Sequence, residues 1–227
     1  MRIERASLET CNTAVDTVVV IDVIRAFTTA AYAFAAGARD IIVVSTVEEA
    51  LALRQSMPGA LVMGEVNGLQ PKGFDLGNSP SALIGMNLAG QRLIQRTSAG
   101  TQGIVRSSNA ESLYACSFVC ARATARRVQS RSPASVTCVI TGAGAGWDGD
   151  EDAACADYLT ALWRGESPDM APLIQRVRTS RAGRGMADPV MAGTLQADLQ
   201  CCVRVDLYDF AMKVERQGGH MVMQAIP

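Results

Sequence analysis

Short β-rich runs alternate with helical segments along most of this 227-residue chain, and no other feature constrains its fold as much. Parallel strands need long crossovers between them, and a helix is the usual crossover. Strands are expected at 17–22, 41–45, 60–64, 92–97, 113–118 and 135–141. Helices are expected at 25–37, 47–56, 79–87, 101–107, 120–131, 151–164 and 189–199. The expected fold is α/β, a three-layer α/β/α sandwich with a mostly parallel or mixed sheet. The chain length suits one domain over 1–227, with the Arg-, Gly- and Pro-rich stretch 165–188 as a lid or insertion. Near the end, Met212, Val214, Met221 and Met223 alternate with polar residues about Gly218 and Gly219, which favours a hairpin over a frayed helix.

Composition removes several classes of function. The longest apolar runs, such as Thr17 to Ile21, fall far short of a membrane span. The first residues, Met-Arg-Ile-Glu-Arg, carry no apolar signal core, so the expected location is cytoplasmic. A net charge of −1 argues against nonspecific nucleic-acid binding. Seven cysteines without CxxC spacing read as reduced core residues, and a single histidine, His220, leaves little for a zinc site. Any metal would be bound by oxygen, as magnesium is. Two arginine-rich segments, that of Arg122, Arg126, Arg127 and Arg131 and that of Arg176, Arg178, Arg181 and Arg184, both read as solvated surface, with an entrance for an anionic substrate as the alternative for the second.

Ligands of open α/β sheets bind beyond the carboxyl ends of the strands, and four loops follow expected strands there. If those strands are all parallel, the four loops meet on one edge. The first carries Asp22, Arg25, Thr28 and Thr29: a carboxylate for a cation or for nucleophilic attack, a guanidinium for an anion, and hydroxyls at a helix start. Its plainer reading is a helix entry with an Asp–Arg ion pair. The second runs from Gly64-Glu65 to Lys72-Gly-Phe-Asp-Leu-Gly-Asn-Ser-Pro80, the densest set of polar groups in the chain. Lys72 is one of only two lysines against nineteen arginines. Glu65 and Asp75 suit a hard cation, Lys72 a phosphate oxygen and Asn78 a polar ligand, while Gly73, Gly77, Ser79 and Pro80 shape the turn and start a helix. The third, Arg96-Thr97-Ser98-Ala99-Gly100-Thr101, suits an oxyanion, although such turns also occur without ligands. The fourth, 142–152, is glycine-rich and then acidic, through Asp148, Asp150, Glu151 and Asp152; its acids suit either a metal or the helix dipole. Ile24 stands where a haloacid-dehalogenase pattern needs a second aspartate, and no P-loop is present.

Taken together, Asp22-Val-Ile-Arg25-Ala-Phe-Thr28-Thr29, Gly64-Glu65, Gly73-Phe-Asp75-Leu-Gly-Asn78-Ser-Pro80, Thr97-Ser98-Ala-Gly100-Thr101 and Glu151-Asp152 resemble the 2-phosphosulfolactate phosphatase family over roughly residues 15–165. The long run ending at Pro80 is its most specific part. The resemblance implies a Mg²⁺-dependent phosphatase on a three-layer α/β fold that hydrolyses 2-phospho-3-sulfolactate, a step of coenzyme M biosynthesis. It adds Glu151 and Asp152 to Asp22, Glu65 and Asp75 as metal ligands. Asp22, Asp75 and Lys72 are then the expected catalytic groups, and Arg25, Thr28, Thr29, Asn78, Arg96, Thr97, Ser98, Gly100 and Thr101 the expected substrate contacts. The expected partner is a small anionic phosphorylated substrate, without nucleic acid or membrane, and the expected assembly is a homodimer. Two positions depart from the family pattern: Val66 stands where an arginine is usual and Ala99 where an asparagine is usual. Loss of a guanidinium and an amide beside an anion would weaken or redirect recognition, which leaves two alternatives: a phosphatase of the same family acting on a different phosphorylated acid, or a catalytically quiet anion-binding homologue.

Overall fold

The structure, a computed structural model, describes residues 1–142, 149–187 and 195–227 in full and the backbone alone at 143–144, 147–148 and 194. The Asp148 side chain and residues 189–193 of an expected helix therefore lie outside the described residues.

In chain order the elements begin with β1 (Arg2–Ser7), β2 (Thr17–Ile21), α1 (Ala26–Ala35), β3 (Asp40–Val43), α2 (Val47–Ser56) and β4 (Leu61–Gly64). There follow β5 (Arg92–Arg96), α3 (Gly100–Arg106), β6 (Ser112–Cys116), α4 (Ala121–Ser130) and β7 (Ser135–Ile140). A short ribbon of β8 (Ala143–Gly144) and β9 (Trp147–Asp148) leads to α5 (Asp150–Trp163), α6 (Met170–Thr179), α7 (Arg181–Ala187) and α8 (Thr194–Cys202). The hairpin β10 (Ala211–Gln217) and β11 (His220–Ile226) closes the chain.

The architecture is the expected α/β/α sandwich, with a mixed nine-stranded sheet in the order β1-β7-β2-β6-β10-β11-β3-β5-β4. β2 reads Thr-Val-Val-Val-Ile and is buried throughout, because it pairs in parallel with β6 on one side and β7 on the other. The hairpin turns through Gly218 and Gly219, both at positive φ as a tight two-residue turn requires. It enters the middle of the sheet, β10 antiparallel to β6 and β11 antiparallel to β3. Three antiparallel pairings in succession leave β3, β5 and β4 running opposite to β1, β7, β2 and β6. The strands are thus not all parallel, and in a flat sheet their carboxyl ends would point to opposite edges. Strand twist of roughly 20–25° per step turns the second group by roughly 100–125° between β2 and β5, which brings the two sets of carboxyl ends back toward one another.

Two helices fill the space between the groups. Nine of the ten residues of α1 are buried, and its run of alanines and threonines lets surrounding elements approach from every side. α3 leaves β5 yet packs against β2.

Other elements depart from expectation. β1 is polar enough to escape notice as a strand, and it survives at the sheet edge with β7 as its one partner. The helix expected at 79–87 is only a 3₁₀ turn at Ser81–Leu83, because the Ser79 hydroxyl donates to Asp198 (2.7 Å) and Gly85 takes φ +80°. Residues 165–188 contain α6 and α7, packed in sequence between α5 and α8. No helix among the described residues is long and apolar enough to cross a membrane.

Candidate active site

A cleft of about 830 Å³ opens where the loops after β2, β4, β5 and β7 converge, with Asp22, Arg25, Glu65, Asn78 and Glu151 among its lining. Asp22 follows β2 directly. Its Oδ1 accepts the Ala26 N–H at the start of α1 (2.9 Å). The residue opposite is Gly100, where a Cβ would sit 2.7 Å from Asp22 Oδ2 and 2.8 Å from the Ala26 Cβ, so α3 can approach this closely only with glycine there. Burial raises the Asp22 carboxyl from the usual 3.8 to about 7, aided by the Glu65 and Glu151 charges and opposed by the Ala26 and Gly100 amides.

Glu65 follows β4 at Gly64, whose φ is +137° and where a Cβ would fall 1.8 Å from the Arg96 carbonyl oxygen. Its carboxylate accepts the Ser98 N–H (2.5 Å), the Ser98 hydroxyl (3.0 Å) and the Gly68 N–H (2.6 Å). Glu65 thus stitches the β4 and β5 loops together while also lining the cleft. Arg96 supports that joint from behind, donating to the Glu65 carbonyl (2.8 Å) and the Ser45 carbonyl (3.3 Å). Thr97 and Thr101 cap one another: Thr101 N donates to Thr97 Oγ1 (3.0 Å) and Thr101 Oγ1 to the Thr97 carbonyl (2.9 Å). Arg96, Thr97 and Thr101 therefore build the third loop, whereas Ser98 and Ala99 reach the cleft.

The β7 loop contributes two adjacent acids with different situations. Glu151 lines the cleft and is buried. Asp152 is also buried but accepts the Val23 N–H (2.8 Å), the Gly142 N–H (2.8 Å) and the Thr141 hydroxyl (3.1 Å), which staples the β2 loop to the β7 loop. Burial pushes its carboxyl well above the usual range, helped by the Glu151 and Asp22 charges and opposed by the Val23 and Gly142 amides. Asp152, expected as a metal ligand, braces the two loops and is not among the residues that line the cleft.

The second loop divides. Asn78 is 8% exposed and lines the cleft, and its Oδ1 has no hydrogen-bond partner among the described residues. Lys72 and Asp75, expected as catalytic groups, are exposed and do not line it. Asp75 accepts the Val62 N–H of β4 (2.8 Å) and pairs with Arg54 of α2 (3.3 Å), which protects the open edge of the sheet. The structure therefore does not bring Asp75 or Lys72 to Asp22. Thr28 donates to the Val23 carbonyl (2.8 Å) and Thr29 is fully buried; neither hydroxyl lines the cleft.

Several residues escape a reading by motif. Arg181, Met186 and Leu195 form a wall supplied by α7 and α8, and Arg106 stands on another. The arginine-rich composition of 176–184 signals only this much: Arg181 reaches the cleft, while Arg176 is held by Asp150 (2.6 Å) and Asp157 (2.6 Å). Asp198 had no local signal at all.

Oxygen donors dominate this site, which suits a hard cation. Among the described residues no three His, Cys, Asp or Glu side chains form a ready-made metal cage. Mg²⁺ needs none, since it usually keeps water and takes one or two carboxylates together with substrate phosphate. The donor set, with Asp22, Glu65 and Glu151 held near one another at a cost in charge repulsion, fits such an ion.

Fold and site define an α/β protein with an acid-rich cleft where strand-end loops converge, the usual place for a ligand in such sheets. The model of the 2-phosphosulpholactate phosphatase family matches residues 4–217. A probable 2-phosphosulfolactate phosphatase of Bacillus subtilis is 36% identical over 201 residues, covering 88% of this chain and 87% of the relative. Proteins of the same description from Deinococcus radiodurans (35% identical; 77% and 72% covered) and Parasynechococcus marenigrum (30%; 93% and 93%) are also similar. The chain belongs to the 2-phosphosulpholactate phosphatase family, and the activity for which these relatives are named is that of a phosphoric monoester hydrolase.

Proposed function

We propose that this protein hydrolyses the phosphate monoester of a small anionic hydroxy acid in a Mg²⁺-dependent reaction, converting 2-phospho-3-sulfolactate to 3-sulfolactate and phosphate as in coenzyme M biosynthesis. The observation that carries the reading is the convergence of Asp22, Glu65 and Glu151 with Arg25 and Asn78 on one cleft, in a chain of this family. Bound Mg²⁺ would supply Lewis acidity toward the phosphoryl oxygens, with Asp22 and Glu151, supported by Glu65, as the residues that hold it. Arg25 takes a phosphoryl oxygen through its guanidinium, and Asn78 and Ser98 give the substrate polar contacts that fix its orientation. Without a cation, burial raises the Asp22 carboxyl to about 7, and a cation held there would favour its charged form.

A second reading keeps the chemistry and changes the acid. The Ala99 methyl and the apolar Ile24, Leu69 and Met186 line the same cleft, and the cations on its walls, Arg106 and Arg181, suit a carboxylate as well as a sulfonate. Phosphate release is measured across a panel of phosphorylated hydroxy acids, with and without Mg²⁺. Preferred turnover of 2-phosphosulfolactate supports the first reading, and preference for a non-sulfonated ester moves the assignment to the second. No Mg²⁺-stimulated release from any member would refute both.

A further inference from the structure

Asp198 of α8 lies 173 residues from Arg25, and its side chain has no exposed surface. It carries four hydrogen bonds. Arg25 Nη1 donates to Oδ2 at 2.7 Å; the Ser79 hydroxyl (2.7 Å), the Ser81 N–H (2.9 Å) and the Ser81 hydroxyl (2.5 Å) donate to Oδ1. The two carboxylate oxygens therefore serve different loops, one the β2 loop with its arginine and the other the turn that follows Asn78.

The Arg25 side chain is 13% exposed, and Arg25 lines the cleft. Its one hydrogen bond to a described residue uses Nη1 alone, so Nε and Nη2 remain for a ligand. An arginine with a free rotor presents a phosphoryl group with many poor geometries, whereas one pinned at a single nitrogen offers the rest of its planar fork in a fixed direction. A buried carboxylate is also costly without a cation, so Asp198 and Arg25 need each other whether or not a ligand is present.

We propose that Asp198 is a positioning residue for the phosphate clamp, holding the Arg25 guanidinium toward the cleft and anchoring the 79–81 turn that carries Asn78 to the same carboxylate. The inference rests on the phosphatase reading for the identity of the ligand, but its test does not require turnover. Inorganic phosphate is the probe, with its dissociation constant measured by calorimetry in the presence of Mg²⁺ for the intact protein, Asp198→Asn, Arg25→Ala and the double variant. Asp198→Asn keeps the shape and an acceptor for the serines while it removes the charge that holds Arg25. It is expected to weaken phosphate binding at least tenfold in the native background and less than twofold in the Arg25→Ala background. A loss of similar size in both backgrounds marks a merely structural role and overturns the proposal, as does an unchanged affinity. Arg25→Lys reads the same question with Asp198 intact. Lysine keeps a cation beside the carboxylate but has no fork, and an expected loss of at least fivefold is opposed by a refuting result of unchanged binding. Phosphate coupling without turnover of any ester would leave this proposal standing while the phosphatase reading fails.

Discussion

Replacing Asp22 by asparagine should make the protein less active with Mg²⁺ and more stable without it, and the stability gain should depend on pH in a defined way. Asp22 is buried among other carboxylates, and its carboxyl rises from 3.8 to about 7 on folding. Because the folded value is raised, this group's contribution to stability is fully present below about pH 4 and is lost progressively as pH climbs to 7, with no further change above. At about 1.4 kcal/mol for each pH unit of displacement, the rise is worth up to about 4 kcal/mol. Asparagine keeps the acceptor for the Ala26 N–H and removes the ionisation. In EDTA at pH 8, Asp22→Asn should therefore exceed the unaltered protein by as much as about 4 kcal/mol in urea unfolding, or by roughly 10 °C in Tm. At pH 4.5 the advantage should shrink to about 1 kcal/mol. Saturating Mg²⁺ at pH 8 should stabilise the unaltered protein by about 3 kcal/mol at a hundredfold excess over its Kd, and the variant by much less. A variant that is no more stable at pH 8, or whose advantage is the same at both pH values, would refute the account of Asp22 as a carboxylate kept in the site at the expense of stability.

Three further outcomes follow from the same geometry. Asp152→Ala strands the buried Val23 and Gly142 N–H groups and should cost about 2–4 kcal/mol; unchanged urea unfolding would show that the two loops do not depend on this brace. Gly100→Ala places a methyl 2.7 Å from Asp22 Oδ2 and should lower stability by about 1–3 kcal/mol and reduce kcat at least tenfold, whereas a fully active alanine variant would mean that α3 can retreat freely from Asp22. Lys72→Ala alters an exposed side chain outside the cleft, so kcat/KM should stay within about twofold by the small effect expected of remote surface changes; a collapse of activity would return Lys72 to the chemistry.

Much of the site was legible because strand ends and loop chemistry are local. Asp22, Glu65, Ser98 and Glu151 follow strands or open helices that periodicity reveals, and all four line the cleft. Distinguishing ligand from brace was not local. Asp75 sits in the most distinctive run of the chain, yet its partners are Val62 N and Arg54, thirteen and twenty-one residues away. Asp152 differs from its neighbour Glu151 only by what its side chain meets across the loops. Asp198 lies in a helix with no motif, and its importance comes from Arg25 at the other end of the chain.

The sequence alone determined the α/β class, the family and the loops that carry the polar groups, because these rest on spacing and on residue type. Tertiary structure decided that the terminal hairpin would enter the middle of the sheet and reverse β3, β5 and β4. It also decided that the loops would nevertheless converge. Hydrogen-bond pairing between distant strands, accumulated twist, and a glycine that lets α3 lie against Asp22 are long-range facts, and no short stretch of residues contains them.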